Sequence, residues 1–278
     1  MTVEMVGHRE FGRAVSGRVS GPAAAPPASM IERMTVILDA FDAGTPTVTL
    51  LGLTERTGLP RSTVYRILDQ MVRLRWLAHA PGGYRLGLRA FEIGALAADH
   101  NEIRDVVSPL LQDLCQRICM AGHLAVLDGR EVFFLDKAGG RQATAIPTRL
   151  GGRLPAHSTA LGKALLATLE PGIVDASLRE RLPQLTARTI ADRGELHREL
   201  HRVRRQGGVA VDTEESVDGL SCVAVPLRGR GAAVAALSLS GHVGGDRPPL
   251  DTAKLARMLA ETAQEAGRTL FPRHARLR

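Results

Sequence analysis

Thirteen residues constrain this chain more than any others: Leu59 to Met71, reading Leu-Pro-Arg-Ser-Thr-Val-Tyr-Arg-Ile-Leu-Asp-Gln-Met. Val64, Ile67, Leu68 and Met71 recur at three- and four-residue spacing, which predicts a helix with one face against a core. The other face carries Arg61, Ser62, Thr63, Tyr65, Arg66 and Gln70, side chains that reach phosphates and base edges. Gly58 punctuates a preceding short helix, Leu50 to Thr57, which Thr49 can cap, and Pro60 suits the entry to the next helix. Short helix, tight turn and basic helix together make a helix-turn-helix. An ordinary surface helix of an unrelated domain is the alternative.

Charge supports the first reading. The net charge of +7 and pI near 10.1 favour an anionic partner, although charge alone does not separate nucleic acid from a membrane surface. Its distribution says more: Arg56, Arg61, Arg66, Arg73, Arg75, Arg85 and Arg89 face only Glu55 and Asp69 between Thr54 and Arg89. Three cysteines without framework spacing argue for a reducing compartment and against a disulfide scaffold. No apolar run approaches the roughly 18–20 residues that span a bilayer, and the first residues do not resemble a secretory signal. A cytoplasmic protein without a membrane partner is expected.

Residues 1–28, rich in Gly, Pro, Ala, Ser and Arg, are expected to form a disordered tail. Ser29 and Glu32 have capping-box spacing, with Ile31, Met34, Leu38 and Phe41 as the apolar stripe of a first helix. Beyond Met71, Trp76–His79 and Tyr84–Leu86 flank Pro81-Gly82-Gly83, a hairpin in the position of a wing, with Arg85 near a phosphate or the minor groove. Residues 29–91 are thus a winged helix-turn-helix domain. Residues 92–120 hold connector helices, whose surplus of apolar positions could support a dimer or be buried within one subunit. Residues 121–278 change to strand period, with a hairpin at Asp128-Gly129. Further strands are expected at 142–148, 209–212, 222–227 and 233–240, and helices at 158–169, 173–182, from Asp192 to about 207, and 251–270. The fold class is α+β in two domains, the second with a mainly antiparallel sheet.

Two stretches of the second domain are unusual for packing alone. Gly151 to Lys163 (Gly-Gly-Arg-Leu-Pro-Ala-His-Ser-Thr-Ala-Leu-Gly-Lys) is a glycine-rich turn entering a helix, whose free N–H groups suit a carboxylate or phosphate. Gly208 to Pro226 places an acidic loop, Asp212-Thr-Glu-Glu215, beside a strand carrying Cys222. With Thr57-Gly-Leu-Pro-Arg-Ser-Thr-Val-Tyr-Arg66, these runs make the chain resemble the isocitrate lyase regulator (IclR) family of bacterial transcription factors over about 29–270. The resemblance implies a GAF-like effector domain after the winged helix. It also implies dimers or tetramers on double-stranded operator DNA, controlled by a small-molecule effector such as an organic or aromatic acid. It carries the effector pocket to Ile146, Ala160, Leu161, Asp212, Leu220, Cys222, Ser238 and Ser240. Backbone N–H groups of Ala160 and Leu161 would meet the ligand's anionic end, although several relatives have glycine where this chain has Ala160.

Other chemistries fit less well. Asp212, Glu214 and Glu215 could be acids or bases, but no positioned partner is visible. His157-Ser158-Thr159 near Lys163 has no nucleophile elbow or triad, and capping is the simpler account. Cys115, Cys119 and His123 fall at i, i+4 and i+8 and could ligate a metal if one helix extended that far; buried packing is the simpler alternative. Cys222 as a redox sensor lacks a basic neighbour in sequence. Arg198, Arg202, Arg204 and Arg205 read as a solvated face. No enzyme activity, catalytic residue, metal or cofactor is expected. DNA contacts are expected from Arg61, Ser62, Thr63, Tyr65, Arg66 and Arg85. Effector identity, target genes, repression versus activation and dimer versus tetramer stay open.

Overall fold

The structure, a computed structural model, describes residues 29–272 apart from 43, 230, 232 and 245–249. The tail expected over 1–28 lies outside the described residues. The chain divides into two compact units after Ala97. No helix among the described residues is long and apolar enough to cross a membrane.

In the first unit, α1 (Met30–Asp39) opens with the capping box: Glu32 N–H donates to Ser29 Oγ at 3.1 Å and Ser29 N–H to Glu32 Oε2 at 2.9 Å. Its stripe differs from expectation. Ile37 is the buried residue, while Ile31, in the first turn, is 74% exposed, because only the later turns meet the core. Thr49 caps α2 (Leu50–Thr57) through Gly52 N–H, and Gly58 ends it at φ 66. α3 (Arg61–Arg73) buries Val64, Ile67, Leu68 and Met71 against Ile37, Val48 and Leu53.

The wing follows as an antiparallel hairpin of β1 (Leu77–Ala80) and β2 (Gly83–Leu86). Val48 and Tyr84 exchange two backbone hydrogen bonds of 2.9 Å, which fasten the wing to the chain entering α2. That approach needs Gly83. A Cβ there would stand 2.4 Å from Val48 O, and φ is 149. α4 (Leu88–Asp99) comes next and buries no residue.

The second unit begins with α5 (Glu102–Ile118), closed by Cys119 in the left-handed conformation. Six antiparallel strands form one sheet in the order β5-β4-β3-β8-β7-β6, from β3 (Ala121–Asp128), β4 (Glu131–Ala138), β5 (Arg153–Pro155), β6 (Ala210–Thr213), β7 (Leu220–Arg228) and β8 (Ala233–His242). One face packs Leu124, Val225, Leu237 and Leu239 against α5 and α10 (Thr252–Leu270). The opposite face packs Ala125, Phe134, Ala224 and Ala236 against α7 (Ala160–Leu166) and α9 (Arg193–Arg205). Burying alternate residues on both sides gives this central sheet its apolar runs.

Three elements depart from the sequence reading. Residues 142–148 are not a strand. Gly139 (φ 114) and Gly140 (φ 53) turn the chain into α6 (Gly140–Thr144), and 153–155 supply the edge strand instead. The helix expected from Ser158 starts later: Ala156–Ser158 form a 3-10 turn, and Thr159, extended, caps α7. α8 (Pro171–Ser177) stops at Leu178, whose backbone is extended, well before Leu182.

Gly83→Ala is expected to destabilise the first unit by about 1–3 kcal/mol, the range for a backbone forced from its native geometry. Urea unfolding followed by fluorescence of Trp76, the chain's one tryptophan, reads this unit alone. An unchanged midpoint refutes the tight approach to Val48.

Candidate functional site

Because the apolar stripe of α3 is sunk in the core, its other face is left to solvent. Arg61, Ser62, Tyr65 and Arg66 are exposed and Thr63 is half-buried. Arg85 is exposed on β2 of the wing. The seven arginines of the basic segment divide into two sets. Arg56 donates to Ala40 O at 2.7 Å and pairs with Asp42, Arg73 pairs with Asp69, and Arg75 and Arg89 both pair with Glu92. Arg61, Arg66 and Arg85 make no ion pair among the described residues. The first set is paired, with Arg56 and Arg75 bridging separate segments; the second leaves its charge available.

In the second unit, strand register gathers the other candidates. Residues directly opposite in an antiparallel pair share a face. Asp212 lies opposite Cys222, Cys222 opposite Ser240, and Ser240 opposite Ala121. The adjoining row runs Ala210, Ala224, Ser238, His123, Lys137. Asp212, Cys222, Ser240, Ser238, His123 and Lys137 therefore stand on one sheet face, most of them buried. Ile146, Ala160, Leu161 and Leu220 are also buried, and Ile146 and Leu220 share a small cluster with Ala121 and Ala143.

A chain of polar contacts crosses this face. The Cys222 thiol lies 3.0 Å from Ser240 Oγ, Ser240 Oγ lies 3.4 Å from His123 Nδ1, and His123 Nε2 lies 2.7 Å from Thr148 Oγ1. Burial, with the Lys137 ammonium nearby, pushes His123 down to about 3, so the imidazole is neutral. The Lys137 ammonium donates to Ile146 O at 2.8 Å and Thr148 O at 2.6 Å, tying down the segment after α6. Burial pushes the Cys222 thiol up to about 12, which leaves it protonated and unsuited to thiolate redox chemistry.

Asp212 is 1% exposed, and its carboxylate serves its own loop. It accepts from Glu215 N–H at 2.7 Å and Ser216 Oγ at 2.6 Å, while burial raises its pKa. The loop is also held from outside, where Thr186 and Thr189 hydroxyls donate to Glu214 O and Glu215 O at 2.6 Å each. Beneath it lies Lys163 of α7, also 1% exposed, with its ammonium 2.5 Å from Glu215 Oε1 and 3.4 Å from Glu199 Oε1. Arg202 grips Glu199 through two bonds of 2.8 and 2.7 Å. Burial pushes the Glu215 carboxyl up to about 7 against the pull of Lys163.

Neither His123, Lys137, Thr148 nor the Lys163 cluster was assigned to a site from sequence. Alternation about Ala121, His123 and Ala125 could have placed His123 on the sheet face, but Thr148 meets it only through a fold-back of 25 residues. The i, i+4, i+8 spacing weighed as a metal alternative is not one helix face. α5 ends at Ile118 and His123 lies in β3, so Cys115, Cys119 and His123 do not share a helix face. On the basic face of α9, Arg198, Arg202 and Arg205 are exposed as expected, whereas Arg204 is half-buried and donates to Ala167 O and Leu169 O. His157 anchors to Pro183 O at 2.8 Å, and Thr159 supplies the cap to Gly162 N–H. Gly162 itself is obligatory, since a Cβ would stand 2.0 Å from Ala156 O.

Lys163→Met leaves the buried Glu215 carboxylate without its cation, while Glu199 keeps Arg202, and is expected to destabilise the second unit by about 3–5 kcal/mol at pH 8. Glu215 already titrates above its ordinary 4.5 in the folded chain, so its favourable contribution is full below pH 4.5 and lost as pH rises through about 7. Removing the cation raises that carboxyl further, and the deficit of the variant should shrink as pH falls from 8 to 6. Thermal melts at both pH values, with Lys163→Met/Glu215→Gln as the rescue, check this; a pH-independent deficit contradicts it.

Comparison with known proteins matches both units of this architecture. Residues 30–81 match the profile of the IclR helix-turn-helix domain and 95–268 that of the bacterial transcriptional regulator IclR C-terminal domain. The chain is 34% identical to the HTH-type transcriptional regulator XynR of Escherichia coli (strain K12) over 86% of its own length and 94% of that protein. It is 28% identical to KipR of Bacillus subtilis (strain 168) over 81% and 92%. Among solved structures it is similar to an IclR homolog from Microbacterium hydrocarbonoxydans complexed with 4-hydroxybenzoate, with TM-score 0.75 and 29% identity over 87% and 99% of the two chains. The Thermotoga maritima IclR aligns with TM-score 0.68 and 28% identity over 86% and 98%. By these matches and by its fold, the chain belongs to the IclR family of bacterial transcriptional regulators, DNA-binding proteins rather than enzymes.

Proposed function

We propose that this regulator binds double-stranded operator DNA through the exposed face of α3 and that a small organic or aromatic acid in the second unit sets its operator affinity. Arg61, Ser62, Thr63 and Arg66 read the groove, and Tyr65 and Arg85 hold phosphates. The supporting observation is the division of arginines: the three assigned here are the ones in the segment without carboxylate partners.

For the effector, the observation that carries the reading is six polar side chains sharing one covered face of a sheet. Buried polar groups without a purpose are destabilising, and an apolar core would fold as well. On this reading Cys222, Ser238 and Ser240 offer hydrogen bonds. Asp212 shapes the loop that closes the site, Ile146 and Leu220 line its apolar side, and backbone N–H groups of Ala160 and Leu161 meet the ligand's anionic end. The 4-hydroxybenzoate in the Microbacterium relative agrees with an acid as ligand. The assignment divides the chain into a DNA-binding domain over 29–91, connector helices over 92–120 and an effector domain over 121–278. Ligand binding shifts the population of DNA-competent arrangements through the connectors. A homo-oligomer, dimer or tetramer, fits the exposed Leu88, Phe91 and Ile93 of α4.

Arg66→Ala should weaken specific operator binding by roughly 1–3 kcal/mol, the worth of a base-edge contact. Gel-shift titration at fixed salt measures it, and wild-type affinity removes Arg66 from the interface. Cys222→Leu should abolish release of operator by the responsive acid while leaving operator binding by the unliganded protein intact. Calorimetry giving wild-type acid affinity in this variant would take Cys222 out of the pocket.

A further inference from the structure

One cavity of the second unit, about 390 Å³, opens between α6 and the end of β8. That volume suits a small organic molecule. Its inner end is formed by Ile146 and Ser240, both already placed in the effector site on the reading above. Its mouth carries Arg141, Gln142, His242 and Cys119. Guanidinium, amide, imidazole, hydroxyl and thiol thus line one opening, and among the described residues no carboxylate does. Arg141 makes no ion pair among the described residues, in contrast to Arg153, Arg193 and Arg202 of the same unit.

Arg141 is also held in place at its backbone. A Cβ on Gly139 would lie 2.4 Å from Met120 O, so the glycine turn presses directly on the start of β3. Ala143 and Ile146 are buried on the inner side of α6 and behind it, and Lys137 fastens Ile146 O and Thr148 O. Arg141 therefore stands on an anchored helix beside an open cavity that also reaches the Ser240 hydroxyl.

We propose that this cavity is the acid-recognising entrance of the effector site, in which Arg141 pairs with the carboxylate of a small organic acid whose far end reaches Ser240. The assignment rests on the effector reading and revises it at one point: the anionic end pairs with Arg141 rather than with the N–H groups of Ala160 and Leu161. A guanidinium presents parallel N–H groups matched to a carboxylate, and no acid among the described lining residues competes for it. Neutral analogues of the same shape lack that partner and bind less well.

Cys119 makes the cavity testable without knowing the natural effector. It is the exposed thiol of the chain, whereas Cys115 is buried, Cys222 is half-buried, and both are pushed up to about 12. The probes are 5,5′-dithiobis(2-nitrobenzoate), an anionic aromatic disulfide, and neutral 4,4′-dithiodipyridine, with peptide mapping to confirm reaction at Cys119. The anionic-to-neutral rate ratio should fall about tenfold in Arg141→Gln, the effect of removing one charge a few ångströms away. Arg141→Lys should retain part of it. Millimolar benzoate should protect Cys119 from the neutral reagent in the wild type and not in Arg141→Gln, with circular dichroism confirming that both are folded. Equal ratios in wild type and Arg141→Gln overturn the proposal. If the ratios differ but no organic acid from a panel alters operator binding by the wild type, the cavity binds anions without serving the effector, and the proposal falls with the effector reading. If acids release operator equally from both proteins and the ratios match, only the assignment of Arg141 falls.

Discussion

An ammonium group removed from water is tolerable only with negative partners at hydrogen-bond distance. Lys163 meets that condition with Glu215 and Glu199, and Arg202 completes the set. Three pieces of the second unit are thereby bound to one charge: α7, α9 and the loop that begins at Asp212. The loop cannot shift without separating Glu215 from Lys163, nor can α7 rotate without exposing the ammonium. Asp212 adds an internal constraint by accepting from Glu215 N–H and the Ser216 hydroxyl. A site built against such a loop has a wall with discrete positions, the kind of element that a bound molecule can bias.

The first unit uses charge in the opposite sense. Its core is small, so polar contacts around it do much of the positioning. Arg56 reaches back to Ala40 O and Asp42, and Arg75 and Arg89 converge on Glu92 at the base of α4. These guanidiniums are committed to structure. Those of Arg61, Arg66 and Arg85 remain on the surface of α3 and the wing, where attraction to phosphates is long-ranged and sensitive to salt.

Much of this was legible in the sequence where the governing interaction is local. The capping box at Ser29 and Glu32, the Gly58 cap, the buried stripe of α3 and the Asp128-Gly129 hairpin depend on residues within a few positions of each other. The errors have the same logic inverted. Residues 142–148 read as a strand because their composition permits one, but Gly139 and Gly140 turn the chain into α6. Ile31 matched the helical period yet is exposed, since periodicity gives a face and not the length of that face the core reaches. Arg204 of α9 read as solvated with its neighbours because its acceptors, Ala167 O and Leu169 O, lie more than thirty residues away.

What the sequence by itself determined is the set of parts and their partner chemistry: a basic amphipathic helix after a glycine turn, a strand-rich second half, and the motifs that mark the IclR family. Short-range sterics and hydrophobic period settle such features before the chain closes. Only the tertiary structure decided which charges are spent and which are free, and which polar side chains face one another. His123 reaches Thr148 and Ser240, and Lys163 finds Glu215, through strand register and helix packing across 25, 117 and 52 positions. A hydrogen bond is indifferent to separation along the chain, so contacts of that kind are written in the fold.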